Sequence, residues 1–183
     1  MLTFDNLIYI GRFQPFHQGH RLMVEEGLKH AKRLLLLIGS SHAPASRKNP
    51  WSYDERLQLI QSALSPEIMS RLIFAPLRDC PNDDEVWKQQ VLDITQTLIL
   101  PQESFALMGH QKDESSYYLR LFPEWPYLEF PSMGAISATP IREAYFQTPI
   151  TKRFDHPHLA PLVLTYLNQF RQTSTFQTLQ QSP

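Results

Sequence analysis

A short apolar run, Leu7-Ile8-Tyr9-Ile10, leads directly into Gly11-Arg12-Phe13-Gln14-Pro15-Phe16-His17-Gln18-Gly19-His20. The run reads as a buried strand, and the ten residues after it read as a loop and then the start of a helix. His17 and His20 stand three residues apart, on one face of that helix's first turn. Strand, loop and helix start in this order make an anion site. The first N–H groups of a helix have no partner within it, and the dipole's positive end lies there. Arg12 and the two imidazoles add directed donors, and Gly19, lacking a Cβ, lets a nucleotide approach the backbone.

The rest of the chain continues the pattern. Strand-like runs recur at 7–10, 34–38, 72–77, 105–108 and, more weakly, 127–130, with helical segments between them. This alternation predicts an α/β fold: a Rossmann-like, doubly wound parallel sheet of about five strands with helices on both faces. The first helix is expected over about 19–32. The second opens with Ser52 and Glu55 in capping-box spacing, and the third carries Trp87, Val91, Ile94 and Leu98 as one apolar stripe. A last helix is expected over 159–170, with Leu159, Leu162, Tyr166 and Phe170 on a shared face. The polar residues after 171 show no period and are expected to lack order.

Composition narrows the function classes. The 183 residues fit one domain with a substantial core, 42% of them being hydrophobic. A net charge of −1 argues against a protein that coats nucleic acid, so any anion site must be local. A single cysteine, Cys80, excludes an internal disulfide and fits a reducing, cytoplasmic setting. Neither a secretory leader nor a run of membrane-spanning length is present, so no membrane partner is expected.

The segment GRFQPFHQGH resembles the signature of the HxGH nucleotidylyltransferases. It is most similar to their nicotinamide mononucleotide adenylyltransferases of the archaeal type, which also form the N-terminal half of certain fusions to a Nudix hydrolase. The stretches SSHAPASRKNPWSYDER, PLRDCPNDDEVW, ALMGHQKDESSYYLRLFPEW and GAISATPIREAYF resemble the later blocks of that family in the expected order. The resemblance implies a nucleotidylyltransferase domain over 1–171 and a tail over 172–183. No Gly- and Glu-rich Nudix box accompanies it.

The implied reaction joins ATP and nicotinamide mononucleotide into NAD and pyrophosphate. The mononucleotide phosphate attacks the ATP α-phosphate in line, with no covalent enzyme intermediate. Such an enzyme must hold two anions together and neutralise charge in the transition state. Cations are therefore expected to converge from several loops, and His17, His20, Arg47 and Arg142 are the candidate catalytic residues. Gly11, Arg12, Phe13, Gln14, Gly19, Lys112, Asp113, Ser137 and Thr139 are the candidate ATP-binding set. Ser137 and Thr139 sit where a helix begins, with Pro140 suited to its first turn, so capping alone would also account for them. Asp79, Asn82, Asp83 and Trp87 are assigned to the mononucleotide, with Trp87 stacking on the pyridine ring, although its place on an apolar stripe fits a packing role as well. Asp54, Glu55 and Arg56 read as a helix start, with Arg56 the exception that the resemblance singles out for the site, since the family block ends in Glu-Arg. His156 and His158 read as surface loop, too isolated to bind metal. Magnesium is expected to arrive on ATP oxygens, and no protein metal ligands are expected.

Nicotinic acid mononucleotide is the rival substrate, and acidic Asp79, Asp83 and Asp84 favour the amide. A module that senses NAD or ATP without turnover is a second alternative. Pantetheine phosphate is disfavoured because His17 stands where that relative usually has Thr, and a tRNA synthetase fragment because no basic surface is evident. Assembly into a homo-oligomer is left open, since no interface pattern stands out.

Overall fold

The computed structural model describes residues 3–109, 119–131 and 136–181. Five parallel strands, β1 (Phe4–Gly11), β2 (Ala31–Ile38), β3 (Leu72–Pro76), β4 (Phe105–Gly109) and β5 (Tyr127–Glu129), form one sheet in the order β3-β2-β1-β4-β5. The chain winds outward from β1 to β3 and then returns to the other side of β1. That reversal opens a crevice beyond the C-terminal ends of β1 and β4, as in other doubly wound sheets.

Alternation within the central strands explains why both faces are covered. Leu7 and Tyr9 of β1, with Leu34, Leu36 and Ile38 of β2, enter one core with Met23, Val24 and Leu28 of α1 (Gln18–His30). Ile8, Ile10, Leu35 and Leu37 face the opposite core with Val91 of α4 (Asp84–Leu98). Period-two geometry sends neighbours to opposite faces, so a continuous apolar run is what a doubly covered strand requires.

Helix α1 ends at His30 and the chain enters β2 at Ala31 with no intervening turn, two residues earlier than the expected end at 32. Arg71 makes this abrupt junction feasible by donating to the carbonyls of Leu28, Ala31 and Lys32 at 2.7–2.9 Å. Helices α2 (Tyr53–Ala63) and α3 (Pro66–Met69) precede β3. The Ser52–Glu55 capping box is formed, with Glu55 Oε2 accepting from the Ser52 N–H at 2.8 Å and Ser52 Oγ from the Glu55 N–H at 3.3 Å. Pro76 ends β3 at the sheet's edge, where a missing N–H is tolerated.

Three further helices, α5 (Ala138–Gln147), α6 (Pro161–Phe170) and α7 (Ser174–Gln181), gather around Trp51 and Tyr145. Two expectations are corrected here. Helix α6 begins at Pro161, so Leu159 lies ahead of it; the buried stripe is Val163, Leu167 and Phe170, and Leu162 is 62% exposed. The segment expected to lack order forms α7 from 174 to 181, because Phe176 and Leu179 bury themselves in this cluster despite a polar surround.

Candidate active site

His17 is the N-cap of α1, and its backbone is extended while its ring faces the first turn. Its Nδ1 accepts from the N–H of Gly19 at 3.1 Å and of His20 at 3.4 Å. In return, His20 Nδ1 accepts from the His17 N–H at 3.3 Å, and the two rings stack at 3.7 Å. The pair is a capping box built from imidazoles, where Ser and Glu usually serve. Because each Nδ1 is an acceptor, each neutral ring carries its proton on Nε2 and donates through that nitrogen. Helix capping and donor orientation are thus achieved by the same hydrogen bonds.

The loop before this helix is rigid for identifiable reasons. Phe13 adopts a left-handed φ of 53° and packs edge-on to Tyr9 and His20. A Cβ on Gly11 would lie 2.8 Å from the Phe13 ring, so the glycine makes room for that ring. Gln14 is buried and clasps the Trp51 backbone in both directions, donating to its carbonyl at 2.8 Å and accepting from its N–H at 3.2 Å. The structure therefore brings Gly11, Phe13 and Gln14 to the loop as its internal framework. Gly19 is buried within the first turn of α1.

Arg56 fastens the loops to one another. It is 1% exposed and donates to the carbonyls of Arg12 (2.7 Å), Gly39 (2.6 Å), Ser52 (3.1 Å) and Ser40 (3.2 Å). Burial pushes its guanidinium pKa down to about 10, with nearby Asp79 opposing that shift and Arg12 adding to it. Ser40 and Asn82, like Phe13, take left-handed φ, at 51° and 64°. All three non-glycine outliers among the described residues thus follow the C-terminal ends of β1, β2 and β3. Conformations of this kind persist where the surroundings over-determine them, as Arg56 does for Ser40.

Cations line this edge. Arg47 and Lys48 occupy a tight turn held by Ser46 and Asn49, and Arg12 Nη1 reaches Asn49 Oδ1 at 3.5 Å. The Arg47 guanidinium lies 5.1 Å over the ring of Phe146 in α5. Arg142 is buried, donates to the Gln14 carbonyl at 2.7 Å and, one turn along the helix, to Thr139 Oγ1 at 3.1 Å. Its pKa is pushed down to about 10 by burial and then by Arg12. None of the ion pairs among the described residues includes Arg12, Arg56 or Arg142. Ser137 is the N-cap of α5 but does not make the side-chain cap bond, so its hydroxyl is not serving as a cap.

The loop after β3 is tied in through Ser41, whose N–H donates to the Leu77 carbonyl at 3.0 Å, and through an Arg78–His42 contact of 3.2 Å. Here Asp79 and Asn82 are exposed. Asp83 caps α4 by accepting from the Val86 N–H at 3.0 Å, and Trp87 is half-buried beside Phe122 at 6.2 Å. Lys112 and Asp113 lie outside the described residues. Sequence reading missed the docking of the 156–158 loop onto α1, in which the Gln18 N–H donates to the His158 carbonyl at 2.8 Å. It also missed Arg56 as the clamp, since carbonyl partners leave no spacing pattern.

The chain is similar to known proteins in sequence and in fold. The cytidylyltransferase-like family profile matches residues 8–144. The chain is 36% identical over 182 residues, covering 99% of itself and 94% of the relative, to a nicotinamide/nicotinic acid mononucleotide adenylyltransferase of Acinetobacter baylyi. It is 36% identical over 87 residues, 48% of each chain, to a nicotinamide-nucleotide adenylyltransferase of Halorubrum lacusprofundi. Among solved structures, a bifunctional NMN adenylyltransferase/ADP ribose pyrophosphatase of Francisella tularensis, complexed with AMP and a manganese ion, superposes with a TM-score of 0.82 at 30% identity. That match covers 96% of this chain and 52% of the bifunctional one.

Proposed function

The chain belongs to the cytidylyltransferase-like family, and on that footing we propose that it is a nicotinamide-nucleotide adenylyltransferase that converts ATP and nicotinamide mononucleotide into NAD and pyrophosphate. The observation that carries this reading is the reciprocal imidazole capping box, which fixes two Nε2–H donors at the helix start, together with a buried Arg142 that makes no ion pair among the described residues. A phosphate oxygen of the mononucleotide attacks the α-phosphorus of ATP. The bond from that phosphorus to the β-phosphate bridging oxygen breaks, and pyrophosphate leaves with the electron pair. His17 and His20 donate to phosphate oxygens as charge builds, while Arg47 and Arg142 with Arg12 offset charge on the leaving group. Ser137, Thr139, Lys112 and Asp113 complete the ATP contacts.

Donors fixed by backbone bonds need not reorganise during the reaction, which is where electrostatic catalysis gains most. Among the described residues no group of three or more His, Cys, Asp or Glu side chains could hold a metal ion. Magnesium would ride on the ATP oxygens, where it offsets phosphate charge.

The mononucleotide is assigned to the loop after β3, with Asp79, Asn82 and Asp83 at its polar edge and Trp87 against the pyridine ring. The acid form is a second reading, favoured by the dual name of the Acinetobacter relative and by Arg78 in the same loop. One assay tests both: pyrophosphate release from Mg-ATP with each mononucleotide in turn. Turnover is expected with the amide, and turnover with neither would sink the catalytic reading in favour of a nucleotide sensor.

A further inference from the structure

We propose that α7, far along the chain from the phosphate loops, sets the position of Arg47 through a stack of four side chains, making Phe146 and Phe176 positioning residues for adenylyl transfer. The Arg47 guanidinium lies 5.1 Å over the Phe146 ring. Phe146 in turn stacks on Phe176 of α7 at 5.4 Å with the rings only 7° from parallel. Arg171 lies 5.4 Å over Phe176 and 5.7 Å over Tyr145. The series runs from a half-buried cation at the cleft to a fully buried cation behind it.

The buried end is anchored. Arg171 donates to the carbonyls of Tyr145 (3.4 Å), Thr148 (2.8 Å) and Pro149 (2.7 Å), which are the last turn of α5 and the residues just beyond it. Gln180 of α7 adds a bond to the Phe146 carbonyl at 3.3 Å. Helix α5 is therefore gripped at its C-terminal end by Arg171 and α7, while its N-terminal end presents Thr139 and Arg142 to the cleft. At the exposed end, an aromatic face supports a guanidinium without itself neutralising it as a carboxylate would. Arg47 sits in a loop with a long, flexible side chain, and holding it over one ring removes part of the ordering cost of binding.

The inference rests on the reading of Arg47 as a phosphate contact, and its test separates the two. Phe146→Leu and Phe176→Leu keep apolar volume but remove a ring, which limits the cost to folding. Each is expected to raise the KM for ATP by about threefold to tenfold with kcat changed less, and Phe146→Tyr to restore it. The Arg47 Nε–Hε resonance is expected to be displaced by the Phe146 ring in the parent and to move toward its free position in both leucine variants. An unchanged ATP KM together with an unmoved Arg47 resonance in Phe176→Leu overturns the inference. If Arg47→Ala itself leaves ATP binding unaltered while the resonance moves in Phe176→Leu, the phosphate role of Arg47 fails and the stack stands as a structural linkage alone.

Discussion

At the N-terminal end of the sheet Lys32 pairs with Asp5 at 2.7 Å and Arg33 with Glu103 at 2.6 Å, whereas at the C-terminal end Arg12 lies near the buried Arg56 and Arg142 without a carboxylate pair for any of the three among the described residues. At the first end, Lys32 and then Ser104 hold the Asp5 carboxyl well below the usual range, and the Leu100 N–H holds Glu103 down. At the second end, burial pushes Arg56 and Arg142 down to about 10. One edge spends its charges on ion pairs; the other, among the described residues, satisfies its guanidinium groups with carbonyl and side-chain oxygens instead. Buried cations without counter-ions are costly, and such a cost is retained where a bound anion offsets it.

The largest break in this contrast is expected at the imidazole pair. His20→Ala should lower kcat by on the order of a hundredfold to a thousandfold, the range for removing one transition-state donor, while losing about 1 kcal/mol of stability with half the capping box. Steady-state kinetics beside urea unfolding checks this, and an unchanged kcat would refute the role of His20. Next comes Arg56→Met, which takes a guanidinium donor away from four carbonyls in two loops and should cost about 3 kcal/mol in urea unfolding. A neutral result would mean the loops hold themselves.

Ionic strength should separate the two edges more gently. Raising salt from roughly 50 to 500 mM is expected to raise the KM for ATP severalfold through screening while moving the unfolding midpoint little. The smallest effect at neutral pH is expected at the N-terminal edge. Depressed carboxylate pKa values add stability that is complete above the ordinary range near pH 4 and is lost as pH falls through the folded-state values. Asp5→Asn with Glu103→Gln should therefore flatten the stability profile below roughly pH 4 and leave ATP kinetics alone. A steep acid limb persisting in the double variant would place the acid sensitivity elsewhere.

Much of the fold could be read from local pattern. The apolar runs in β1 to β5, the Ser52–Glu55 box and the helix start at Ser137 all depend on neighbours within a few residues, and they appear within a few residues of where they were expected. Helix α7 was not legible, because two apolar residues in a polar segment carry no period, and only the cluster around Tyr145 gives Phe176 somewhere to bury. The face of α6 was misjudged by one residue for a related reason: Pro161 fixes the helix start, and contact with that cluster then selects Val163 over Leu162. At the site, the motif showed which residue types were present, but not that Gln14 and Arg56 serve backbone carbonyls 37 and 44 residues away.

Read alone, the chain specifies the order of its chemistry: a buried strand, a loop, paired imidazoles at a helix start, and cations recurring after later strands. Those features obey short-range rules that need only a few neighbouring residues. Packing in three dimensions set the state of each group: both imidazoles fixed as Nε2–H donors, Arg142 seated on the Gln14 carbonyl, Arg47 laid on a ring backed by α7. The reason is that a hydrogen bond to a carbonyl or a ring stacked on a ring can come from anywhere in the chain, and only the folded arrangement brings the two partners together.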